Sequence, residues 1–363
     1  MNQTKVAYIH GRPTAHPMHQ KFAKSVGGEF HYVDFRMRWQ DRNKSILYRL
    51  ISSFVCALTF PNKKQFDIFL IDNLHFMPVI MKMFGFISKK QKIVAHMGSH
   101  TLYFIYTHRF SKFTEWLHIQ ALKRYDALIC EGKMAEELVK IILDSSTHPK
   151  LYTVFMGIPN EHYPAQNDIS PNLQGKNILF IGHGPNKNRM WYKGLDLMIA
   201  AFRLAKIKDK ELTFTIIGNW ENEVKLELLA ECDEIIKNAI HFAGATDNLG
   251  KFIREASLYL HCARGEAWGI TILVAMASGI LPIISEWTGA KEVAEQVSSD
   301  LIAPLDEKQI AEKIIWYFNL PISEKKILSD KCREVAKKYT EENAIQNFTT
   351  VFNQMEKDFE IVK

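Results

Sequence analysis

The sequence predicts an α/β fold made of two nucleotide-binding-type domains, each a parallel sheet covered by helices. Three observations carry that expectation. Short apolar runs of strand length alternate with amphipathic helical stretches along the chain, a turn-forming tract interrupts the alternation near residue 160, and the alternation then restarts. At 363 residues the chain exceeds what one core organises, and domains of about 100 to 200 residues make two the natural division. A content of 47% hydrophobic and 24% charged residues is globular and excludes disordered, collagen-like and coiled-coil chains.

In the first half the predicted strands are 6–10, 29–35, 66–71, 93–97, 127–130 and 151–156, because each is a short apolar run bounded by polar or turn residues. Helices are predicted between them over 113–124, with Phe113, Leu117 and Ala121 on one face, and over 134–143, with Met134, Leu138 and Ile141; both faces should pack on the sheet. The tract NEHYPAQNDISPNLQGK, residues 160–176, holds two prolines and three asparagines and reads as a linker. The expected division is therefore a first domain over 1–160, a linker over 161–175 and a second domain over 176–341. The second domain should run strand 177–181, helix 195–206, strand 212–217, helix 224–236, strand 240–243, helix 249–256, strand 258–262, helix 270–278 and strand 281–285. Beyond Pro304 the pattern is helical over 309–318, 324–339 and 342–359, and the last helix, about 342–363, is expected to pack back on the first domain. Ligands of open parallel sheets bind beyond the carboxyl ends of their strands, so two such sheets are expected to face a common cleft.

Several function classes lose support. No apolar run reaches the roughly 18 residues of a membrane span: Ile46–Phe60 and Phe76–Ile87 are broken by Arg49, Ser52, Ser53, Lys82 and Gly85. The start of the sequence lacks a secretory pattern, so a cytoplasmic location is expected. Five scattered cysteines without a Cys-x-x-Cys pair indicate neither disulfides nor a thiolate metal centre. The pairs His16/His19 and His96/His100 have no carboxylate at a spacing diagnostic of a metalloenzyme, so no metal site is expected. Nor is there a nucleophile elbow, a Walker loop or a dinucleotide glycine fingerprint. Residues 1–150 carry 22 Lys and Arg against 11 Asp and Glu, leaving 24 against 29 for the rest, so the first half holds the positive field. Within it, FRMRWQDRNKSILYRLISSFVCALTF and MKMFGFISKK interleave cations with aromatic and aliphatic residues. That pattern fits both a helix lying on an anionic membrane and an ordinary sheet-covering helix. Without a nucleic-acid-binding module, nucleic acid is not expected.

The densest chemical signal is HCARGEAWGITILVAMASGILPIISEWTGAKE, residues 261–292. It reads strand, glycine-bearing loop, helix, strand. Gly265 and Gly269 permit a tight turn, and the helix opening at Ile270 offers unpaired amides and a positive dipole end to a phosphate, with Glu266 beside it to accept hydrogen bonds from hydroxyls. On spacing alone the turn is either a phosphate-plus-polyol site or a plain connection.

The same residues resemble the C-terminal donor-binding motif of retaining GT-B glycosyltransferases, in particular glycosyltransferase family 4 (group 1). Glu266, Ala267, Trp268 and Gly269 stand for the family's Glu-Gly-Phe-Gly; Ala275, Met276, Ala277, Gly279 and Pro282 follow in step; and Thr288, Gly289 and Glu292 take the later turn. ILFIGHGPNKNRMWYKGLDLMIAAF is similar to the family's Val-Gly-Arg loop and Lys-Gly helix start, which gives Lys193 the role of the basic residue on the donor diphosphate. His183 replaces the arginine of that loop, and Arg189 is placed to supply its charge. IHGRPTAHPMH resembles the loop after the first strand, with Gly11 in place of two glycines, and VAHMGSH resembles the strand whose histidine, here His96, contacts the donor sugar. DALICEGKMAEEL and VFMGIPNEHY fall in register too, with Glu131 and Met156 where other residues are common. One position departs: Val274 stands where the family carries a second glutamate that bonds the nucleotide ribose. Losing a charged partner of a hydroxyl costs on the order of 1.5 to 3 kcal/mol, about ten- to a hundredfold in affinity.

The resemblance implies a GT-B fold of two Rossmann-like α/β/α domains facing a cleft. It implies a hexosyltransferase that needs no cofactor or metal and moves a sugar, with retention, from a nucleotide-sugar co-substrate to a saccharide or lipid-linked acceptor. Synthesis of cell-surface polysaccharide or glycoconjugate is the implied setting, with peripheral docking on the inner membrane face where the acceptor is a lipid. Catalysis is expected from His96, Glu266 and Lys193. Donor binding is expected from Gly11, His183, Arg189, Lys193, Gly265, Glu266, Trp268, Gly269, Ile270, Thr271, Ile272 and position 274. The alternative is a catalytically impaired relative that serves as a binding or scaffold subunit.

Overall fold

The computed structural model describes residues 4–11, 16–33, 45, 47–48, 51, 60–61, 65–98, 100–144, 149–162, 169–184 and 186–359. The chain divides into two compact units, one comprising 1–156 and 344–363 and the other 157–343. The first boundary thus lies a few residues before the prolines of the expected linker, part of which (163–168) is outside the described residues. Each unit is built on a six-stranded, all-parallel sheet with helical crossovers, a Rossmann-like α/β/α domain.

In the first unit, β1 (Val6–His10), β2 (Gly28–Tyr32), β3 (Ile68–Asp72), β4 (Lys92–Met97), β5 (Ala127–Glu131) and β6 (Lys150–Val154) lie in the order β2-β1-β3-β4-β5-β6. β1, β3 and β5 are buried along their whole length, as near-continuous apolar runs covered on both faces must be. The chain order reverses between β1 and β3. Residues of the C-terminal helix complete this core: Ala344, Phe348, Phe352 and Met355 recur at helical spacing and are all buried. Phe348 stacks on Phe22 with ring centroids 4.6 Å apart and planes 3° from parallel. Tyr152 donates to Asp358 Oδ2 at 2.6 Å near the helix end.

Two predicted faces are corrected. In helix Lys112–Leu122, Ala121 and Leu122 are buried but Phe113 is 64% exposed and stacks on the exposed Trp116 at 6.1 Å. In helix Lys133–Leu143, Ala135, Leu138, Val139 and Leu143 face inward while Ile141 lies 59% exposed. Gly132, at φ 84°, starts the helix one residue before the expected position.

In the second unit, β7 (Asn177–Ile181), β8 (Thr213–Ile217), β9 (Ile240–Gly244), β10 (Leu258–His261), β11 (Leu281–Ser285) and β12 (Ile302–Ala303) lie in the order β12-β11-β10-β7-β8-β9. This is the doubly wound arrangement, and its switch point falls between β7 and β10, where Leu258 pairs with Ile178 and Tyr259 with Leu179. The helix predicted over 224–236 is two helices, Asn222–Leu229 and Glu234–Ala239. Asp233 starts the second, its carboxylate accepting from the Ile236 amide at 2.8 Å. Cys130, Cys232, Cys262 and Cys332 are free and buried. Among the described residues no helix is long and apolar enough to cross a membrane.

Candidate active site

Beyond the carboxyl ends of β7 and β10 the chain makes the loops that hold most of the predicted donor residues. Gly182 and His183 follow β7, and residues 262–269 follow β10. A helix not expected from the sequence, Lys187–Lys193, sits in the first loop. Asn186 caps it, its Oδ1 accepting from the Arg189 amide at 3.0 Å, and Gly194 ends it at φ 69°. A Cβ at Gly194 would lie 1.9 Å from the Cys262 carbonyl oxygen, so only glycine lets this helix end sit on the β10 loop. That close approach delivers Lys193 to Glu266.

Lys193 Nζ donates to Glu266 Oε2 in a short, buried ion pair, the side chains 11% and 14% exposed. Tyr192 Oη donates to the same carboxylate oxygen at 3.2 Å, and His261 Nε2 stands 3.6 Å from it. Burial by itself would raise the Glu266 carboxyl, but Lys193, with His261, outweighs it and holds the group well below the usual carboxylate range. Burial would likewise lower the Lys193 ammonium, and Glu266 outweighs it, so its proton is held more tightly than on a free lysine. Behind the pair, Tyr259 Oη donates to Thr271 Oγ1 at 2.9 Å and lies 3.1 Å from His261 Nδ1.

The glycine turn opens helix Ile270–Ala277, with Gly265 at φ 83° and Gly269 at φ 94°. The Ile272 amide is already bonded to the Gly269 carbonyl at 2.9 Å, which corrects its expected availability to a ligand. Among the described residues the Ile270 and Thr271 amides have no such bond, so two donors rather than three face out of the turn. The later turn braces this one: Gly289 donates to the Glu266 carbonyl at 2.9 Å and Ala290 to the Trp268 carbonyl at 2.8 Å. A Cβ at Gly289 would meet the Ala267 carbonyl oxygen at 1.8 Å.

The remaining expected residues divide. Arg189 Nε donates to the His183 carbonyl at 2.5 Å, so the guanidinium stands beside the position whose charge it was expected to replace. The Trp268 side chain is 2% exposed and its ring lies 6.1 Å from Tyr339, which makes it a packing residue under the turn. Val274 is 3% exposed in an apolar helix. Gly11 is buried at the end of β1, next to the undescribed 12–15.

His96 belongs to the first unit and is 1% exposed. It is the penultimate residue of β4 and lies among Phe22, Phe348 and His19, at ring distances of 5.9, 5.7 and 4.4 Å. Contact between this ring and a sugar does not fit that burial, because aromatic side chains cover it. What the structure gathers around His96 was not legible from spacing: His19 Nδ1 lies 3.1 Å from Asp72 Oδ1, His19 Nε2 lies 2.7 Å from Glu131 Oε1, and His96 Nε2 lies 3.2 Å from the same oxygen. Burial and the neighbouring His19 push the His96 imidazole down to about 4, so it is neutral at physiological pH. The signals were three polar residues at or next to the ends of apolar strand runs, Asp72 in IFLID, His96 in KIVAHM and Glu131 in ALICE. Tyr192 and His261 in the second unit were likewise missed, and His261 carries the same mark at the end of LYLH.

Residues 187–339 match the family described as Glycosyl transferases group 1. No curated protein matches the chain. Solved structures of similar fold include sucrose-phosphate synthase from Thermosynechococcus elongatus, at 14% identity over 98% of this chain and 100% of that one, with a TM-score of 0.70. An E. coli trehalose-6-phosphate structure bound with UDP-2-fluoro glucose matches at 13% identity over 99% and 100%, with a TM-score of 0.71. Anabaena Alr3699/HepE in complex with UDP and glucose matches at 13% identity over 98% and 99%, with a TM-score of 0.67. The match over 187–339 covers the Lys193 helix, the Glu266 turn and the Gly289 brace, so in the segments that form this site the second unit is similar to the group 1 glycosyl transferases, and the chain shares the GT-B fold of the solved structures.

Proposed function

We propose that the protein is a glycosyltransferase that moves a hexose-type sugar, with retention of anomeric configuration, from a nucleoside-diphosphate sugar to a saccharide or lipid-linked acceptor, in the synthesis of cell-surface polysaccharide or glycoconjugate. The observation that carries this reading is the buried Lys193–Glu266 pair at the mouth of a helix whose first two amides face outward. An arriving diphosphate competes with Glu266 for the Lys193 ammonium. Exchange of partners leaves Lys193 on the leaving group and frees the Glu266 carboxylate to accept hydrogen bonds from the sugar hydroxyls. As the glycosidic bond breaks, charge grows on the diphosphate, and Lys193 with the Ile270 and Thr271 amides stabilises it. The departing phosphate takes the acceptor's proton, so no side chain need act as nucleophile, and this field does the work that a metal ion does elsewhere. The complexes of the structural relatives with UDP and UDP-linked or free glucose support the nucleotide-sugar assignment.

Docking of the first unit on an anionic membrane face accompanies the lipid-linked form of this reading. Most of 35–60 lies outside the described residues, but Met83, Phe84 and Phe86 stand 65, 74 and 40% exposed beside Lys89 and Lys90. A second reading, an impaired relative that binds without transferring, is favoured by Val274, whose apolar side chain replaces the ribose partner. A donor screen with mass-detected products separates the two, and single-turnover transfer by Glu266→Ala tests the site. Unchanged transfer in that variant rejects the assignment of Glu266, while a screen in which no nucleotide sugar yields product favours the binding subunit.

A further inference from the structure

We infer that the first unit holds a zinc-class divalent cation between His19, His96 and Glu131, at the carboxyl ends of β4 and β5. The three residues each offer a ligand atom, and these atoms all lie within 4.8 Å of one another. Ligand atoms on a tetrahedral zinc sit about 3.3 Å apart, inside the spread of 2.7 to 4.8 Å found here, so closing the set asks for shifts of about an ångström or less at the closer contacts. Two nitrogens and one carboxylate oxygen, with a fourth position left open, are a donor set that zinc takes.

Two features point to a ligand. His19 is flanked by a carboxylate on each ring nitrogen. With its Nδ1 proton donated to Asp72, Nε2 presents a lone pair to Glu131 Oε1, and two acceptors at 2.7 Å require a cation between them, either a second proton or a metal. The Asp72–His19 bond is the carboxylate–imidazole arrangement that orients a histidine for a metal, and Asn73 Nδ2 holds Asp72 Oδ1 in turn at 2.9 Å. The second feature is His96. It is 1% exposed, neither ring nitrogen makes a hydrogen bond among the described residues, and Nε2 lies 3.2 Å from Glu131 Oε1 without forming one. A fully buried imidazole without a partner is costly, and coordination of Nε2 removes that cost. The Glu131 carboxylate reaches this place because residue 98 is glycine, where a Cβ would stand 2.3 Å from Glu131 Oε1. On binding, the metal takes the place of the second His19 proton, which leaves to solvent. The site ties β3, β4, β5 and helix Pro17–Ser25 together and is independent of the donor-site reading.

Untagged full-length protein purified without chelator should contain stoichiometric zinc. After stripping, Co²⁺ should restore the visible bands of a tetrahedral nitrogen–oxygen site, and zinc should raise the melting temperature. Glu131→Gln and His96→Gln should abolish the bands, and Asp72→Asn should weaken Co²⁺ binding roughly 10- to 100-fold. Should the polar replacements fail to fold, the wild-type measurements decide alone. Stripped wild-type protein that shows no bands and the same melting temperature with and without zinc overturns the proposal, as does binding that Glu131→Gln leaves intact.

Discussion

Removing the ammonium of Lys193 should be among the most damaging single truncations in the second unit. In Lys193→Ala the Glu266 carboxylate, 14% exposed, keeps, among the described residues, the Tyr192 hydroxyl at 3.2 Å and His261 at 3.6 Å. Breaking a buried ion pair by deleting one partner costs about 3 to 5 kcal/mol, because an uncompensated charge stays behind. In a domain of this size each kcal/mol moves the melting temperature by about 2 to 4 °C, so the expected drop is roughly 6 to 20 °C. Glu266→Gln should cost a comparable amount from the opposite side. The double variant should lose much less than the two singles combined, since it buries neither charge alone, and a coupling above about 1.5 kcal/mol is expected for groups in direct contact. Calorimetry on the four proteins, repeated with a nucleoside diphosphate, checks the cycle. Additive single effects, or a Lys193→Ala melting temperature within about 2 °C of wild type, would refute the claim that this pair is buried and coupled, and with it the partner exchange proposed for catalysis.

The same pair sets a pH window. The folded-state pKa of Glu266 is depressed, so its contribution is present above the free carboxylate value of about 4.3 and is lost as pH falls below it. That of Lys193 is raised, so its contribution is complete below about 10.4 and is lost as pH climbs past that value. The melting-temperature gap between wild type and the double variant should therefore be widest between those limits and narrow outside them; a gap constant from pH 3 to 11 contradicts the assignment. Val274→Glu, which buries a carboxylate at a 3% exposed position, should lower the melting temperature of the free protein. If the ribose lies there, nucleoside diphosphates should bind about ten- to a hundredfold tighter by titration calorimetry, and equal or weaker binding says the ribose is elsewhere. Gly289→Ala puts a methyl group 1.8 Å from the Ala267 carbonyl and should displace the Glu266 turn, weakening donor binding more than it lowers stability; unchanged donor affinity would mean that the turn does not form the site. Phe348→Ala removes a ring stacked on Phe22 in the first unit and should destabilise that unit by about 3 to 5 kcal/mol in denaturant unfolding; a loss below 1 kcal/mol would show that the returning helix is not part of its core.

Elements with a strong local signal were legible. Strands 177–181 and 281–285 have the boundaries expected from their apolar runs. The C-terminal helix was legible as a helix because its buried residues recur at helical spacing, while the fold decided that it joins the first unit. Short helices were not legible: Lys187–Lys193 begins on an asparagine cap and ends on a glycine within a single basic, aromatic stretch, with no second turn of apolar residues to announce it. The inward faces of helices 112–122 and 133–143 also needed the fold, because an amphipathic pattern shows that a stripe exists but not which neighbours cover it.

What the amino-acid order determined by itself is the alternation of strands and helices and the strand–glycine–helix segment at 258–277, because backbone conformation and side-chain periodicity are local properties. The tertiary structure decided which charges meet. Lys193 and Glu266, 73 residues apart, are joined by the switch point between β7 and β10. His19 and Glu131, 112 residues apart, are joined by the crossovers that bring a helix over the carboxyl ends of the first sheet. Electrostatic interaction falls with distance through space and is strengthened by burial, and neither quantity exists until the chain has folded.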